Sequence, residues 1–221
     1  MVHGWGGSFR RTWQEPGWDA LLEDAGRTVI GVDLLGHGSA PKPHAPEAYA
    51  DLTRRIVEAV GDYARIDAIG FSLGAITLLQ LACHEPGRFG RLVVAGVGAN
   101  LFRTDSNDTL VAAVEGRGNP EDITSHLFAQ YANQPGNDPQ ALAAVMRRPR
   151  TDPITAEKLA ALTFPVLVVL GDRDFAGPAD PLMAALANAK LVTLKGCDHF
   201  ATPNDVRFID ATLGFLDALV S

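Results

Sequence analysis

Residues 66–74 read Ile66-Asp67-Ala68-Ile69-Gly70-Phe71-Ser72-Leu73-Gly74, and the architecture turns on them. The run up to Phe71 has the apolar, β-branched character of a strand. The mostly apolar residues 73–84 have the character of a helix. Ser72 stands at the join in a Gly-x-Ser-x-Gly pattern. A strand, a tight turn and a helix present that serine on a sharp bend, where flanking glycines relieve contacts that a Cβ would create. The amino end of the following helix aims its free N–H groups and positive dipole end at the same spot. The five-residue pattern is common by chance, and its place between strand and helix is what gives it weight.

On either side of this turn, short apolar runs alternate with helical patterns. Residues 27–33, Arg-Thr-Val-Ile-Gly-Val-Asp, read as a strand bounded by Gly26 and Gly36. Residues 46–61 read as a helix with Tyr49, Leu52, Ile56, Val57 and Val60 on one face. Further strands are expected at 92–97, 165–170 and 191–194. The last helix carries Val206, Ile209, Leu213, Leu216 and Val220 at alternating steps of three and four. Strands separated by helices predict an α/β fold, a mostly parallel sheet with helices on both faces. Chemistry in such sheets gathers beyond the carboxyl ends of the strands. Residues 101–162 break the alternation, with helical patterns separated by Gly116-Arg-Gly-Asn-Pro120 and Gln134-Pro-Gly-Asn-Asp-Pro139. Asp138 before Pro139 is a good helix start. The chain therefore divides into a first part of the core (1–100), a small helical cap (101–162) and a second part of the core (163–221).

A length of 221 residues with 47% hydrophobic and 20% charged residues suits one domain with a small insertion. The net charge of −7 and the lack of a basic patch argue against nucleic acid or an anionic membrane surface as partner. The pairs Arg10/Arg11, Arg54/Arg55 and Arg147/Arg148 are isolated and read as solvated faces. No apolar run reaches the length of a membrane span, and residues 1–4 lack the features of a signal peptide. The two cysteines, Cys83 and Cys197, lie far apart and imply no disulfide framework, so a reducing cytoplasm is the expected location.

A serine hydroxyl is a weak nucleophile and needs a base in hydrogen-bonding reach. His199, in Gly196-Cys-Asp-His-Phe200, follows the expected strand 191–194 and so lies at the same edge of the sheet. A lone histidine is often a surface or packing residue, but this position, well after the serine, favours the base. Such a base needs an acceptor that holds its tautomer. Gly171-Asp172-Arg173-Asp174 offers two, one of which is free to cap the next turn. His37, between Gly36 and Gly38, reads as a loop residue packing the site floor, and Asp33 as a partner for neighbouring amides. The spacings around Cys83-His84 and Cys197-Asp198-His199 do not suit a metal, and no phosphate loop or dinucleotide fingerprint is present. No metal or organic cofactor is implied. Leu127, Phe128, Tyr131, Leu142, Val145 and Met146 give the cap helices apolar faces. Phe128, Tyr131 and Met146 are the expected lining for a small hydrophobic, ester-like substrate, although packing of cap on core accounts for them equally well.

Over essentially its full length the chain resembles the α/β-hydrolase superfamily. Besides the serine turn, His3-Gly4-Trp5-Gly6-Gly7-Ser8 resembles the family's His-Gly oxyanion loop, and Asp33-Leu-Leu-Gly-His-Gly38 resembles the loop after its fourth strand. The resemblance implies an acid three residues after the strand-ending glycine, which favours Asp174 over Asp172. It places an oxyanion hole at the N–H groups of Trp5 and Leu73, and implies cleavage of a carboxylic ester, thioester or lactone through an acyl-enzyme on Ser72. C–C bond hydrolases, perhydrolases and lyases share that triad, and a non-catalytic ligand-binding member is the alternative of another class. One departure stands at the start. Family members reach the oxyanion loop from a buried strand preceded by two edge strands, whereas only Met1 and Val2 precede His3. The expectation is a gap in mid-sheet between 27–33 and 66–71, as in a fragment or a chain begun at an internal methionine. The sheet closing up, or a second chain supplying the strand, would be the other solutions.

Overall fold

In the computed structural model, which describes residues 1–104, 106–119 and 121–218, four short apolar runs form the sheet. Strands β1 (Ile66–Phe71), β2 (Phe89–Ala95), β3 (Val166–Gly171) and β4 (Ala189–Leu194) are all parallel and neighbours in that order. β3 is buried at every residue, which a continuous Val-Leu-Val-Val-Leu run tolerates only with both faces covered. The period of two divides the strands between two cores. Val94 and Val168 join Leu78, Leu79, Ile56, Leu159 and Leu182 on one face. Val93, Leu167 and Val169 join Trp13, Trp18, Phe208 and Leu213 on the other.

The covering helices follow from their sequences. α1 (Trp18–Asp24) and α9 (Val206–Phe215) bring Trp18 and Phe208 together with ring centroids 4.6 Å apart, and Trp13 meets Trp18 edge-on at 5.2 Å. α9 starts where the Asp205 carboxylate accepts from Arg207 N–H. Val220, expected on its apolar face, lies outside the described residues. α3 (Leu73–His84) is apolar nearly all round because it sits inside the first core. Between β2 and β3 the described residues form helices and no strand: α4 (Asp108–Val114), α5 (Ile123–Ala132), α6 (Pro139–Met146) and α7 (Ala156–Ala160). α6 begins as expected, with the Asp138 carboxylate accepting from the N–H groups of Gln140 and Ala141 and Pro139 in the first turn. α8 (Asp180–Ala185) connects β3 to β4. No described helix is long and apolar enough to cross a membrane.

Two expected elements come out differently. Residues 46–61 are not one helix but a 3₁₀ turn (Pro46–Tyr49) and a helix α2 (Arg54–Val60). The break lies at Asp51, whose side chain accepts from the N–H and hydroxyl of Thr53 and competes with helical bonding there. Tyr49, Leu52, Ile56 and Val60 are nevertheless buried together. Residues 27–33 run extended but form a strand bridge only at Val32. A strand exists by pairing, and here the neighbour is two residues long. Val2 pairs in parallel with both Val32 and Gly70. Beyond it the sheet does not close up: a cavity of about 650 Å³ separates residues 27–32 from β1.

Candidate active site

β1 ends at Phe71 and α3 starts at Leu73, so Ser72 must turn the chain alone. It does so at φ 51°, ψ −117°, a left-handed conformation that costs a non-glycine residue about 1–3 kcal/mol. Its N–H donates to Ala95 O at 2.8 Å, which ties the turn to the end of β2. Two close approaches explain the flanking glycines. A Cβ on Gly70 would lie 2.6 Å from Ala75 Cα, and one on Gly74 would lie 2.4 Å from the carbonyl oxygens of Val2 and His3. Gly74→Ala is therefore expected to destabilise the protein by about 1–3 kcal/mol by pushing residues 2–3 off the turn. Urea unfolding at pH 7.5 measures this, and an unchanged midpoint would refute the contact.

The loops after β3 and β4 bring the other two groups to the serine. His199 Nε2 lies 2.9 Å from Ser72 Oγ, and its Nδ1 lies 2.8 and 3.0 Å from the two oxygens of Asp174. Nδ1–H donates to the carboxylate, which leaves Nε2 to accept from the serine hydroxyl. Asp174 and His199 are 8% and 5% exposed, so the pair is largely withdrawn from water. Asp174 also accepts from Ala176 N–H at 2.8 Å. Asp172 faces elsewhere and accepts from Gly196 N–H at 2.7 Å, capping the turn that carries the histidine. Geometry thus separates the two aspartates that the residues alone left open.

The amino-terminal loop lies directly over this turn, with a Cβ on Gly4 coming within 3.2 Å of Ser72 Cβ. Leu73 N–H is the first of α3 and has no intrahelical acceptor. No hydrogen bond is recorded for it or for Trp5 N–H among the described residues. The Trp5 indole donates to Leu142 O at 3.1 Å, which ties the loop to α6. Asn137 Nδ2 donates to Gly6 O at 2.8 Å, and the Tyr131 ring lies where a Gly6 side chain would be.

Below the loop two histidines are buried with ring centroids 5.0 Å apart. His3 Nδ1–H donates to Gly4 O at 2.7 Å while its Nε2 accepts from Leu34 N–H at 3.1 Å, so the ring is neutral. Burial lowers the pKa of His3, and burial together with the neighbouring His3 lowers that of His37 to about 3. Asp33 behaves as expected and accepts from the N–H groups of Phe9 and Ser39, both at 2.7 Å. These bonds outweigh its desolvation and hold its carboxyl below the usual range. The sign for stability follows. Between about pH 3 and pH 6.5 the unfolded chain binds a proton that folded His37 refuses, so stability falls as pH drops through that window. The slope approaches about 1.4 kcal/mol per pH unit for His37, and His3 adds in the same direction. Urea midpoints from pH 7.5 to 5 check this, with a shallower dependence expected in His37→Gln; equal slopes in both proteins would refute it.

Of the three residues expected to line a pocket, Phe128 and Tyr131 reach the site. Phe128 packs on Trp5, Phe175 and Phe200, and Tyr131 on Phe200. Met146 points instead into the interior of the helical layer with Val111, Val114, Ala132 and Leu142. Three rings not singled out from the sequence surround the imidazole. Phe175 stacks on His199 at 4.2 Å, Phe71 at 4.9 Å and Phe200 edge-on at 5.6 Å. Phe175 and Phe200 directly follow Asp174 and His199, and that adjacency was the available signal.

A family model described as "Alpha/beta hydrolase family" matches residues 1–211. The chain belongs to the α/β-hydrolase family. Some members match only locally: an uncharacterized protein of Mycobacterium tuberculosis is 38% identical over 74 residues, 32% of this chain and 21% of that one. The alignment thus spans about a fifth of that relative. A 2-hydroxy-6-oxononadienedioate/2-hydroxy-6-oxononatrienedioate hydrolase of Escherichia coli is 25% identical over 83% of this chain and 73% of its own. Among solved structures, an enol-lactonase from Burkholderia xenovorans superposes with a TM-score of 0.68 and 21% identity, covering 98% of this chain and 90% of that one. At that identity the likeness concerns the fold.

Proposed function

We propose that this protein is a serine hydrolase that cleaves a small, apolar carboxylic ester, thioester or lactone through an acyl-enzyme on Ser72. The observation that carries the reading is the continuous hydrogen-bonded chain from Ser72 Oγ through both nitrogens of His199 to Asp174. As Oγ attacks the carbonyl carbon, Nε2 takes its proton, and the resulting imidazolium is stabilised by the Asp174 carboxylate. The charge that develops on the carbonyl oxygen meets the Trp5 and Leu73 N–H groups, each contributing about 3–4 kcal/mol to the transition state. His199 then returns the proton to the leaving alcohol or thiol, and water releases the acyl group by the reverse route.

The surroundings favour an apolar acyl group. The rings around His199 are uncharged, and Phe175 is 41% exposed above it, so an incoming substrate meets aromatic surface first. We read residues 101–162 as the cap that supplies Phe128 and Tyr131 to that surface. A dianionic substrate of the kind named for the Escherichia coli relative fits such a rim less well. Labelling with a fluorophosphonate probe, mapped by mass spectrometry, tests the reading. Stoichiometric modification at Ser72 is the expected result, and no labelling of a folded sample would defeat it.

A further inference from the structure

Two tight turns far apart in sequence are joined by one side chain. The first is Gly4–Gly7: Gly7 N–H donates back to Gly4 O at 3.1 Å across Trp5 and Gly6, and Gly6 stands at φ 70°. The second is Gln134–Asn137, with Pro135 and Gly136 in the middle. Gly136 stands at φ 86°, and Asn137 N–H returns to Gln134 O at 3.1 Å. A positive φ at the third residue is what a type II turn requires. We propose that Asn137 is a positioning residue for hydrolysis, holding the Trp5 N–H on aim through the Gly6–Gly7 peptide. This rests on the reading of Ser72 as nucleophile and of the Trp5 N–H as oxyanion donor.

Asn137 Nδ2 donates to Gly6 O at 2.8 Å and to Tyr131 O at 2.9 Å. Both neighbours are carbonyl oxygens, which only accept. The amide nitrogen therefore faces them, and both of its protons are used. The bond to Gly6 O fixes the plane of the Gly6–Gly7 peptide, whose N–H points the other way, to Gly4 O. The N–H of the second turn residue, Trp5, takes no part in the turn's own bond and faces outward. Rotating the Gly6–Gly7 peptide would open the turn and re-aim that N–H. His3 Nδ1–H pins the start of the turn at Gly4 O, 2.7 Å away, and the Trp5 indole pins its corner to Leu142 O at 3.1 Å. Asn137 pins the end, and among the described residues Gly6 O has no second donor.

Asn137 is itself held stiffly. A proline turn precedes it, and Asp138 caps α6 directly after it. A side chain so placed loses little freedom when it makes its two bonds. Arg11 Nη2 ties the same turn down, donating to Pro135 O at 3.1 Å. The second amide proton goes to the end of α5, the helix that carries Phe128 and Tyr131. The Tyr131 ring covers Gly6 so closely that a Cβ there would lie 2.6 Å from its Cδ1. One group thus sets both the turn with the proposed donor and the helix with the rings.

The test uses Asn137→Ala and Asn137→Leu, the second keeping a branched side chain without donors. Asn133→Ala is the control, since its amide donates to Ala129 O within its own helix end at 2.8 Å. Three quantities are read: hydrogen exchange at the Gly7 amide by NMR, kcat and KM on a p-nitrophenyl ester, and affinity for an alkyl trifluoromethyl ketone. Ser72 Oγ adds to the ketone carbon, the carbonyl π pair moves onto oxygen, and the hydroxyl proton passes to His199 Nε2. The adduct therefore places a full oxyanion at the proposed donors. Both Asn137 variants are expected to speed Gly7 exchange at least tenfold and to lower kcat by about 10–100-fold. KM is expected to stay within about threefold, while ketone affinity falls by the same factor as kcat and the control changes none of these. Unchanged Gly7 exchange would overturn the proposal whatever the activity. Full activity in Asn137→Leu would reduce the side chain to a space-filler, and a rise in KM alone would assign it to the pocket; either overturns the proposal. A parent chain that does not bind the ketone at Ser72 would instead sink the reading of Ser72. Faster Gly7 exchange would then leave Asn137 a structural strut only.

Discussion

Ser72→Ala is expected to lower kcat on a p-nitrophenyl ester by about 10⁵–10⁶ while leaving KM within a few-fold. The size follows from the arrangement. Without Oγ there is no acyl-enzyme, and His199 Nε2, 2.9 Å from that oxygen in the intact protein, has no proton to take from a bound nucleophile. Some acceleration over water is expected to survive, because the oxyanion hole proposed at the Trp5 and Leu73 N–H groups is left in place. Steady-state kinetics on the purified variant, with contaminating esterase titrated out, gives the number. Activity within tenfold of the parent would mean that Ser72 is not the nucleophile.

Asp174→Asn is expected to cost about 10⁴ in kcat, for a reason visible at single atoms. Asp174 Oδ1 accepts from Ala176 N–H at 2.8 Å, so the oxygen of an asparagine is held there. Its amide NH₂ then occupies the place of Oδ2, 3.0 Å from His199 Nδ1, while the oxygen stays 2.8 Å from the same nitrogen. The negative charge that would stabilise an imidazolium is gone, and the NH₂ competes for Nδ1 in the tautomer that carries its proton on Nε2. Both effects weaken His199 as a base towards Ser72. Asp172→Asn is the control: its oxygen still accepts from Gly196 N–H, and kcat is expected to stay within a few-fold. Comparable losses in the two variants would mean that the acid has been assigned by position rather than by chemistry.

The three candidate residues were legible because each stands a few residues beyond the end of an apolar run, at Phe71, Gly171 and Leu194. The choice between Asp172 and Asp174 was not legible from the residues, since both follow Gly171 closely. It depends on which way each side chain turns once Cys197 O has approached Arg173 N–H. Residues 27–33 have a strand's composition but only one strand bridge, because composition describes a side chain's fitness for a sheet and not the presence of a neighbour. Residues 46–61 have helical periodicity, yet the Asp51 side chain divides them. Met146 and Phe128 looked alike as apolar cap residues. Only packing sends the one inward to Leu142 and the other towards Trp5.

The backbone angle at Ser72 sets this protein's heat resistance against its use. Glycine adopts φ 51° without the penalty a serine incurs, so at position 72 glycine would hold the bend more easily. A laboratory lineage selected for survival of heating alone, blind to cleavage, would be drawn to that exchange. Serine at this corner is expected to be kept under selection only where its hydroxyl is used, as the proposed reaction requires.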